Sequence, residues 1–191
     1  MFKISLIKKT FLPNLENTSY NYNLDYITKF NLINIFSKTL CTKITLNFGF
    51  KDIKFDKKQM ILHFFLLELL SNQKCVLTTS RKNIIALKIK KGAVTGCKVT
   101  LRNASLASFL DTLILGLPRS EIFKGFSFKK STYKHNTFST KINNLFMFYT
   151  LESEITQFIT TMDISFNFNT TNDLEKRFFF TYQKIPLNFF N

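Results

Sequence analysis

The stretch Thr78–Arg102, TTSRKNIIALKIKKGAVTGCKVTLR, sets seven cations and no carboxylate on an alternating apolar framework. Arg81, Lys82, Lys88, Lys90, Lys91, Lys98 and Arg102 carry the charge. Successive side chains of a strand point to opposite faces, so Ile85, Leu87 and Ile89 share one face while Lys88 and Lys90 share the other. Val99 and Leu101 repeat the pattern opposite Lys98, Thr100 and Arg102. Two strands, over 84–90 and 98–102, are therefore expected as an antiparallel pair, joined by a short loop carrying Gly92 and Gly96. A sheet with one apolar side and one side of cations and hydroxyls suits a polyanion, and RNA is the expected ligand.

Working outward, Lys43–Phe48 alternates in the same way, with Ile44, Leu46 and Phe48 inward and Lys43, Thr45 and Asn47 outward, and Gly49 ends the strand. Asp56 and Gln59 resemble a capping box for a helix through Leu70, whose Ile61, Phe64, Phe65, Glu68 and Leu69 trace an apolar face. Asn103 is placed to cap a helix with Leu106, Phe109, Leu110, Leu113 and Ile114 at helical spacing, stopped by Pro118. Residues 126–140 read as a long basic loop, followed by strands over 145–149 and 162–169. In the last strand Met162, Ile164, Phe166 and Phe168 face in. Asp173 is positioned to cap a final helix to about Gln183. Upstream, 22–38 reads as one helix or two broken ones. The expected architecture is α+β: an antiparallel sheet of about five strands with helices packed on one face, the other face basic and RNA-binding. Its organisation is a 1–20 arm, a single domain over 21–187 and a 188–191 tail.

The net charge is +15, from 27 Lys and Arg against 12 Asp and Glu, an imbalance that self-repels in a compact chain unless a partner supplies anions. With 45% hydrophobic residues the chain is too apolar for a disordered basic tail. The greasiest run, Met60–Leu70, contains His63 and Glu68 and falls short of the roughly 20 residues that span a bilayer. Four Arg among abundant Lys, Asn, Ile and 24 Phe is the bias of AT-rich coding, pointing to an organelle or an AT-rich bacterium. Cys41, Cys75 and Cys97 match no paired metal-ligand spacing and favour a reducing compartment. The opening MFKISLIKKTFLPNL is basic and acid-free, but its lack of Arg and weak amphipathicity weigh against a targeting segment.

KITLNFG at 43–49, NQK at 72–74, the 78–102 stretch ending GCKVTLR, LPR at 117–119 with FKG at 123–125, and MDI at 162–164 occur in one order. Together, from about residue 30 to residue 187, they resemble the universal large-subunit ribosomal protein five family in its bacterial and organellar form. The resemblance implies an antiparallel sheet with helices on one side, seated in the central protuberance of the large ribosomal subunit. It implies as partners 5S rRNA where present, large-subunit rRNA, peptidyl-site tRNA, neighbouring large-subunit proteins and a small-subunit head protein. Asn47, Gln73, Thr100 and Arg102 match positions on the 5S-facing surface. Arg81 and Lys82 match a basic turn near tRNA, and Arg119 with Lys124 a segment packed against rRNA. The polar pattern adds Lys43, Thr45, Lys74, Lys88, Lys90 and Lys98 to the expected RNA-binding set. The chain departs from the family at STYKHNT, 131–137, where a Gly-rich loop is usual and only Asn136 clearly matches, at FYT, 148–150, and at SNQKC, 71–75.

Competing chemistries find less support. KKGAVTG lacks the GK[ST] ending of a phosphate-cradling loop and reads as a Gly-requiring turn. His63, His135, Glu152, Glu154, Asp163 and Asp173 form no triad, paired-acid or chelating set, so no enzyme, cofactor or metal is expected. Cys97 is expected to be structural rather than activated by nearby cations, and Tyr133 is the one candidate base-stacking aromatic. A maturase- or endonuclease-like protein would need acids beside the basic surface. A peripheral membrane protein would carry its cations along a helix face rather than on strands. The expected setting is the mitochondrial matrix.

Overall fold

The computed structural model describes residues 15–31, 34, 37–50, 57–86, 89–119, 125–127, 133–134, 136–143, 145–148 and 161–188. The chain divides into two compact units, Met1–Leu40 and Cys41–Asn191. In the first, helix α1 (Leu15–Phe30) starts earlier than the expected Tyr22. Its Tyr22 hydroxyl donates to the Thr39 carbonyl at 2.7 Å, and the Tyr26 hydroxyl lies 2.8 Å from Thr39 Oγ1. These bonds tie the helix to the stretch of chain that follows it.

The second unit holds β1 (Cys41–Gly49), α2 (Lys57–Ser71), β2 (Val76–Thr79), β3 (Val94–Leu101), α3 (Asn103–Gly116), β4 (Phe126–Ser127), β5 (Tyr133–Lys134), β6 (Thr137–Ile142), β7 (Met162–Phe168), α4 (Asp173–Tyr182) and β8 (Leu187–Asn188). Six strands form one sheet in the order β2-β3-β1-β7-β6-β5, every described neighbour antiparallel. Five of them have at least four residues and β5 is a two-residue edge, which matches the expected α+β sheet. A separate parallel pair joins β4 to β8.

One face of the sheet is the core. Ile44, Leu46, Phe48, Val99, Leu101, Met162, Ile164, Phe166 and Phe168 are all buried, as the alternation requires. Burying each of the larger ones contributes about 1.5–3 kcal/mol. The helices of this unit, α2, α3 and α4, lie on this face. His63 of α2 meets Phe48 edge-on at 5.3 Å and Phe50 at 5.4 Å, so it is a packed aromatic rather than a ligand. On α3 Leu106, Phe109, Leu110 and Leu113 are buried as expected. On α4 Phe180 is enclosed by Phe138, Phe166 and Phe168 at ring distances of 5.0, 5.2 and 5.6 Å.

Several expectations are corrected. The described residues of 84–90 form no strand: an isolated bridge joins Ile84 to Ile89, and Ile85 is 90% exposed. The partner of β3 is instead β2, whose VLTT lacks alternation and so carries no strand signal of its own. Ser80 and Ala93 close this hairpin, Ser80 N–H donating to the Ala93 carbonyl at 2.9 Å, and Gly92 turns at φ +84°. Between them, residues 81–86 and 90–92 are exposed. Gly96 lies within β3 rather than in a loop. A Cβ there would overlap the Phe48 carbonyl oxygen and sit 3.0 Å from Thr78 Oγ1, so β1, β2 and β3 can pack this closely only around glycine.

The buried face of α2 is Leu66, Leu67 and Leu70, while Ile61, Phe65 and Leu69 of the expected face are 63, 48 and 39% exposed. The helix is apolar on nearly every side, so two stripes satisfy the helical period and only the sheet selects between them. Residues 145–147 form a 3-10 turn, not a strand, and Leu145, Met147 and Phe148 are all buried. The strand of that region is β6, which begins inside the expected loop and runs two residues past it. Asn103 is the first residue of α3, with φ 48°, and Arg102 occupies the cap position without a side-chain bond. Asn172, not Asp173, precedes α4 as its cap residue, and its amide donates to Glu175 Oε1 at 2.6 Å. The Asp56 cap, Leu87, the presequence-like opening, His135, Glu152, Glu154 and the Tyr133 side chain lie outside the described residues.

Candidate nucleic-acid interface

Because directly opposed residues of antiparallel strands point to the same face, the register fixes which polar side chains share the outer surface. Thr45 opposes Thr100 on β3 and Ser165 on β7, and Ser165 opposes Ser139 on β6. A row of four hydroxyls thus crosses four strands. On one side of it Asn47 opposes Lys98 and Asp163, and Asp163 opposes Lys141. On the other side Lys43 opposes Asn167, which opposes Thr137. Arg102 follows the last β3 pair with extended backbone, φ −143° and ψ 160°, which carries the same alternation one step further and leaves it exposed.

The structure therefore brings Lys43, Thr45, Asn47, Lys98, Thr100 and Arg102 onto one surface, as the strand pattern expects. Gln73 lies in the turn between α2 and β2, half-buried, its amide donating to Ser105 Oγ at 2.8 Å. That bond pins the turn to the first residues of α3, next to Arg102. Lys74 is exposed in the same turn. Arg81, Lys82 and Lys90 are exposed on the hairpin between β2 and β3, at the opposite end of the sheet from Arg102, and form a separate group. Lys88, Lys124 and the Arg119 side chain lie outside the described residues; the Arg119 backbone belongs to a 3-10 turn, Leu117–Arg119.

Two further strands contribute to this surface that the expected site residues do not include. The outward complement of β7, Asp163, Ser165 and Asn167, is legible from its inward Met162 and Ile164. β6 is not, because Thr140 sits among its inward positions and its ends are rich in Lys, His, Ser and Thr. Charge is unevenly spread. Asp163 is the one carboxylate in these rows and lies 3.6 Å from Lys141 Nζ, so the β7–β6 half is close to neutral while the β3–β1 half is cationic. That ion pair is largely exposed and contributes little, about 0–1 kcal/mol, so either group is available to a ligand.

The thiols face the other way. Burial pushes Cys97 up to about 12 and Cys41 to about 12, which keeps both protonated and inert at neutral pH. Among the described residues no group of His, Cys, Asp and Glu could hold a metal ion, and no helix is long and apolar enough to cross a membrane.

The chain is 39% identical over 136 residues to the large ribosomal subunit protein uL5m of Reclinomonas americana, covering 71% of this chain and 74% of that protein. It is 35% identical over 159 residues to the large ribosomal subunit protein uL5 of Wolbachia pipientis subsp. Culex pipiens, covering 83 and 89%. The chain belongs to the uL5 family of ribosomal proteins. The family model for the C-terminus of the ribosomal L5 family matches residues 94–187, from the start of β3 to β8. A further uL5, from Nitrosomonas europaea, is 32% identical over 159 residues and covers 83 and 88%. As a uL5 protein the chain is a structural component of the large subunit, not an enzyme. The likeness to uL5m supports the organellar type.

Proposed function

We propose that the outer sheet face is the surface by which this uL5 protein anchors rRNA in the central protuberance: 5S rRNA or its replacement, together with adjoining large-subunit rRNA. The observation that carries this is the register that aligns Lys43, Thr45 and Asn47 with Lys98 and Thr100 beside Arg102, with every apolar neighbour turned inward. Lys and Arg would neutralise phosphates and release counterions, while Asn, Thr and Gln would bond sugars and irregular base edges. Most such contacts position the RNA rather than read its sequence. Gln73, held by Ser105, and Lys74 extend this surface at the α2–β2 turn.

The remaining contacts are proposed from the family resemblance, supported by the exposure of Arg81, Lys82 and Lys90. The hairpin bearing Arg81, Lys82, Lys90 and, within it, Lys88 is the segment for peptidyl-site tRNA. Arg119 and Lys124 pack against large-subunit rRNA, and neighbouring proteins include one from the small-subunit head. The setting is the mitochondrial ribosome. A tagged full chain expressed in its own organelle tests this. It should sediment with the large subunit, and ultraviolet crosslinks from peptides containing Lys98 and Arg102 should map to rRNA. Sedimentation with the subunit but crosslinks confined to protein would refute the assigned face.

A further inference from the structure

An outer edge of the six-stranded sheet is formed by β2, with β3 its one described neighbour. Its residues, VLTT, include neither the charge nor the proline that commonly guards an open edge. The register shift at Thr78 comes from an extra residue on β3, Thr95, so β2 itself runs without a bulge. Backbone groups of successive residues turn to opposite sides of a strand. Ser80 turns to β3: its N–H donates to the Ala93 carbonyl and its carbonyl accepts from the Gly92 N–H, each at 2.9 Å. By alternation Val76 and Thr78 turn the same way, and Leu77 and Thr79 direct their N–H and C=O groups away from the sheet. Cys75, the preceding residue of that outward series, agrees with this, since its N–H donates to Glu68 Oε1 of α2 at 3.1 Å. Leu77 and Thr79 have no such partner for their outward groups among the described residues.

We infer that β2 takes an added strand, an extended acidic segment of a neighbouring large-subunit protein that continues the ladder at Leu77 and Thr79. Donors and acceptors repeating every second residue are what another strand supplies, and main-chain bonds give such an addition its affinity. Exposed apolar side chains alone decide nothing in this chain, since α2 carries Ile61 and Phe65 in the open. At β2 they lie along an open ladder. Val76 and Leu77, 59 and 41% exposed, would strip water from an RNA without replacing its hydrogen bonds, but they suit the side chains of a strand. Charge narrows the occupant further. Lys74 precedes β2 and Arg81 and Lys82 follow it, all exposed, while Glu68 is engaged by Cys75. A strand with carboxylates near its ends complements this edge. A second copy of the chain does not, because antiparallel self-pairing would set Lys74 of one copy against Arg81 of the other. The inference goes beyond the rRNA-binding face and holds whichever RNA that face carries.

The test uses the full chain, free and assembled into large subunits in its own organelle, with a photoreactive benzophenone side chain in place of that of Thr79. Amide hydrogen exchange over residues 76–80 should be slower in the subunit than in the free chain by about tenfold or more. The crosslink should join one other protein, at a segment bearing Asp or Glu. Leu77→Pro removes an outward donor but no bond of the ladder to β3, so the free variant should unfold at about the urea midpoint of Leu77→Ala. In the subunit, crosslink yield should fall about fivefold in Leu77→Pro and less than about twofold in Leu77→Ala. No crosslink, or one to rRNA, to a second copy or within the chain itself, would overturn the inference, as would equal exchange in the two states. Equal losses in the two Leu77 variants would show a side-chain contact instead of a ladder, and a far lower urea midpoint in Leu77→Pro would show that its N–H does not face outward; either result defeats the proposal. Loss of the protein crosslink at position 79, with the rRNA crosslinks of Lys98 peptides retained, leaves the reading of the outer face standing.

Discussion

Replacing Lys43, Lys98 and Arg102 together by alanine should change the salt dependence of rRNA binding more tellingly than its strength. Lys98 and Arg102 are exposed, Lys43 is half-buried beside them, and none of the three has a described carboxylate partner within salt-bridge distance. Each is therefore available to neutralise one phosphate. Counterion release gives a log–log slope of about 0.7–0.9 per phosphate, so losing three cations should flatten the slope by about 2.1–2.7. Between 50 and 200 mM salt, the unaltered chain should then lose about 20- to 40-fold more affinity than the variant. Filter binding of a central-protuberance rRNA transcript at four or five salt concentrations measures both slopes. A variant whose affinity falls by one factor at every salt concentration, with its slope unchanged, would show that these cations do not sit on phosphates. Because the three side chains are on the solvent side, urea unfolding should be unaltered to within about 0.5 kcal/mol each, which separates lost contacts from lost fold.

Gly96→Ala should destabilise the chain by about 1–3 kcal/mol in urea unfolding, since the added methyl meets the Phe48 carbonyl, a backbone atom that cannot rotate away; an unchanged midpoint would contradict the close approach of β1 and β3. Phe180→Ala removes the ring enclosed by Phe138, Phe166 and Phe168 and should cost about 3–5 kcal/mol, while Phe180→Leu should cost clearly less. Cys97 titrates at about 12 in the fold against an ordinary value near 9, because burial disfavours its thiolate. Its contribution is fully present below pH 9 and is lost as pH rises from 9 towards 12, where the unfolded chain gives up a proton that the fold retains. Urea midpoints from about pH 8 to about pH 11 should therefore fall less steeply in Cys97→Ala than in the unaltered chain, and parallel curves would refute the assignment.

Strands and helices are not equally legible in this sequence. β1, β3 and β7 declare themselves because Ile44, Leu46, Phe48, Val99, Leu101, Ile164 and Phe166 alternate with polar residues, and a period of two leaves little choice of face. The 84–90 segment alternates equally well, yet its described residues form no strand, because alternation states what a strand would bury and not whether a neighbour is there to bury it. On α3 a single apolar stripe identifies the buried face, whereas α2, with apolar residues almost all round, offers two. Helix starts fall a residue away from expectation at Asn103 and Asp173, where several Asn and Asp compete for the same role. The site follows the strands: its β1 and β3 half is readable, and its β6 half stays hidden because a polar outward set with Thr140 inward looks like a loop.

That contrast itself bears on function. This chain tolerates large apolar side chains on open surfaces: Ile61 and Phe65 on α2, Leu115 on α3 and Leu174 on α4 are all between 44 and 70% exposed. With 24 Phe and abundant Ile, solvent contact alone has not kept its helices polar. Yet the three rows across β3, β1, β7 and β6 contain only Lys, Thr, Asn, Asp and Ser, as the proposed contact with RNA demands. A polar surface that merely faced water would have admitted the same Phe and Ile as the helices. An apolar side chain in these rows would instead strip water from a phosphate or ribose without replacing its hydrogen bond, a cost that falls only on a face with a polar partner. The uniformity of the rows is therefore what the proposed docking plane on the sheet requires.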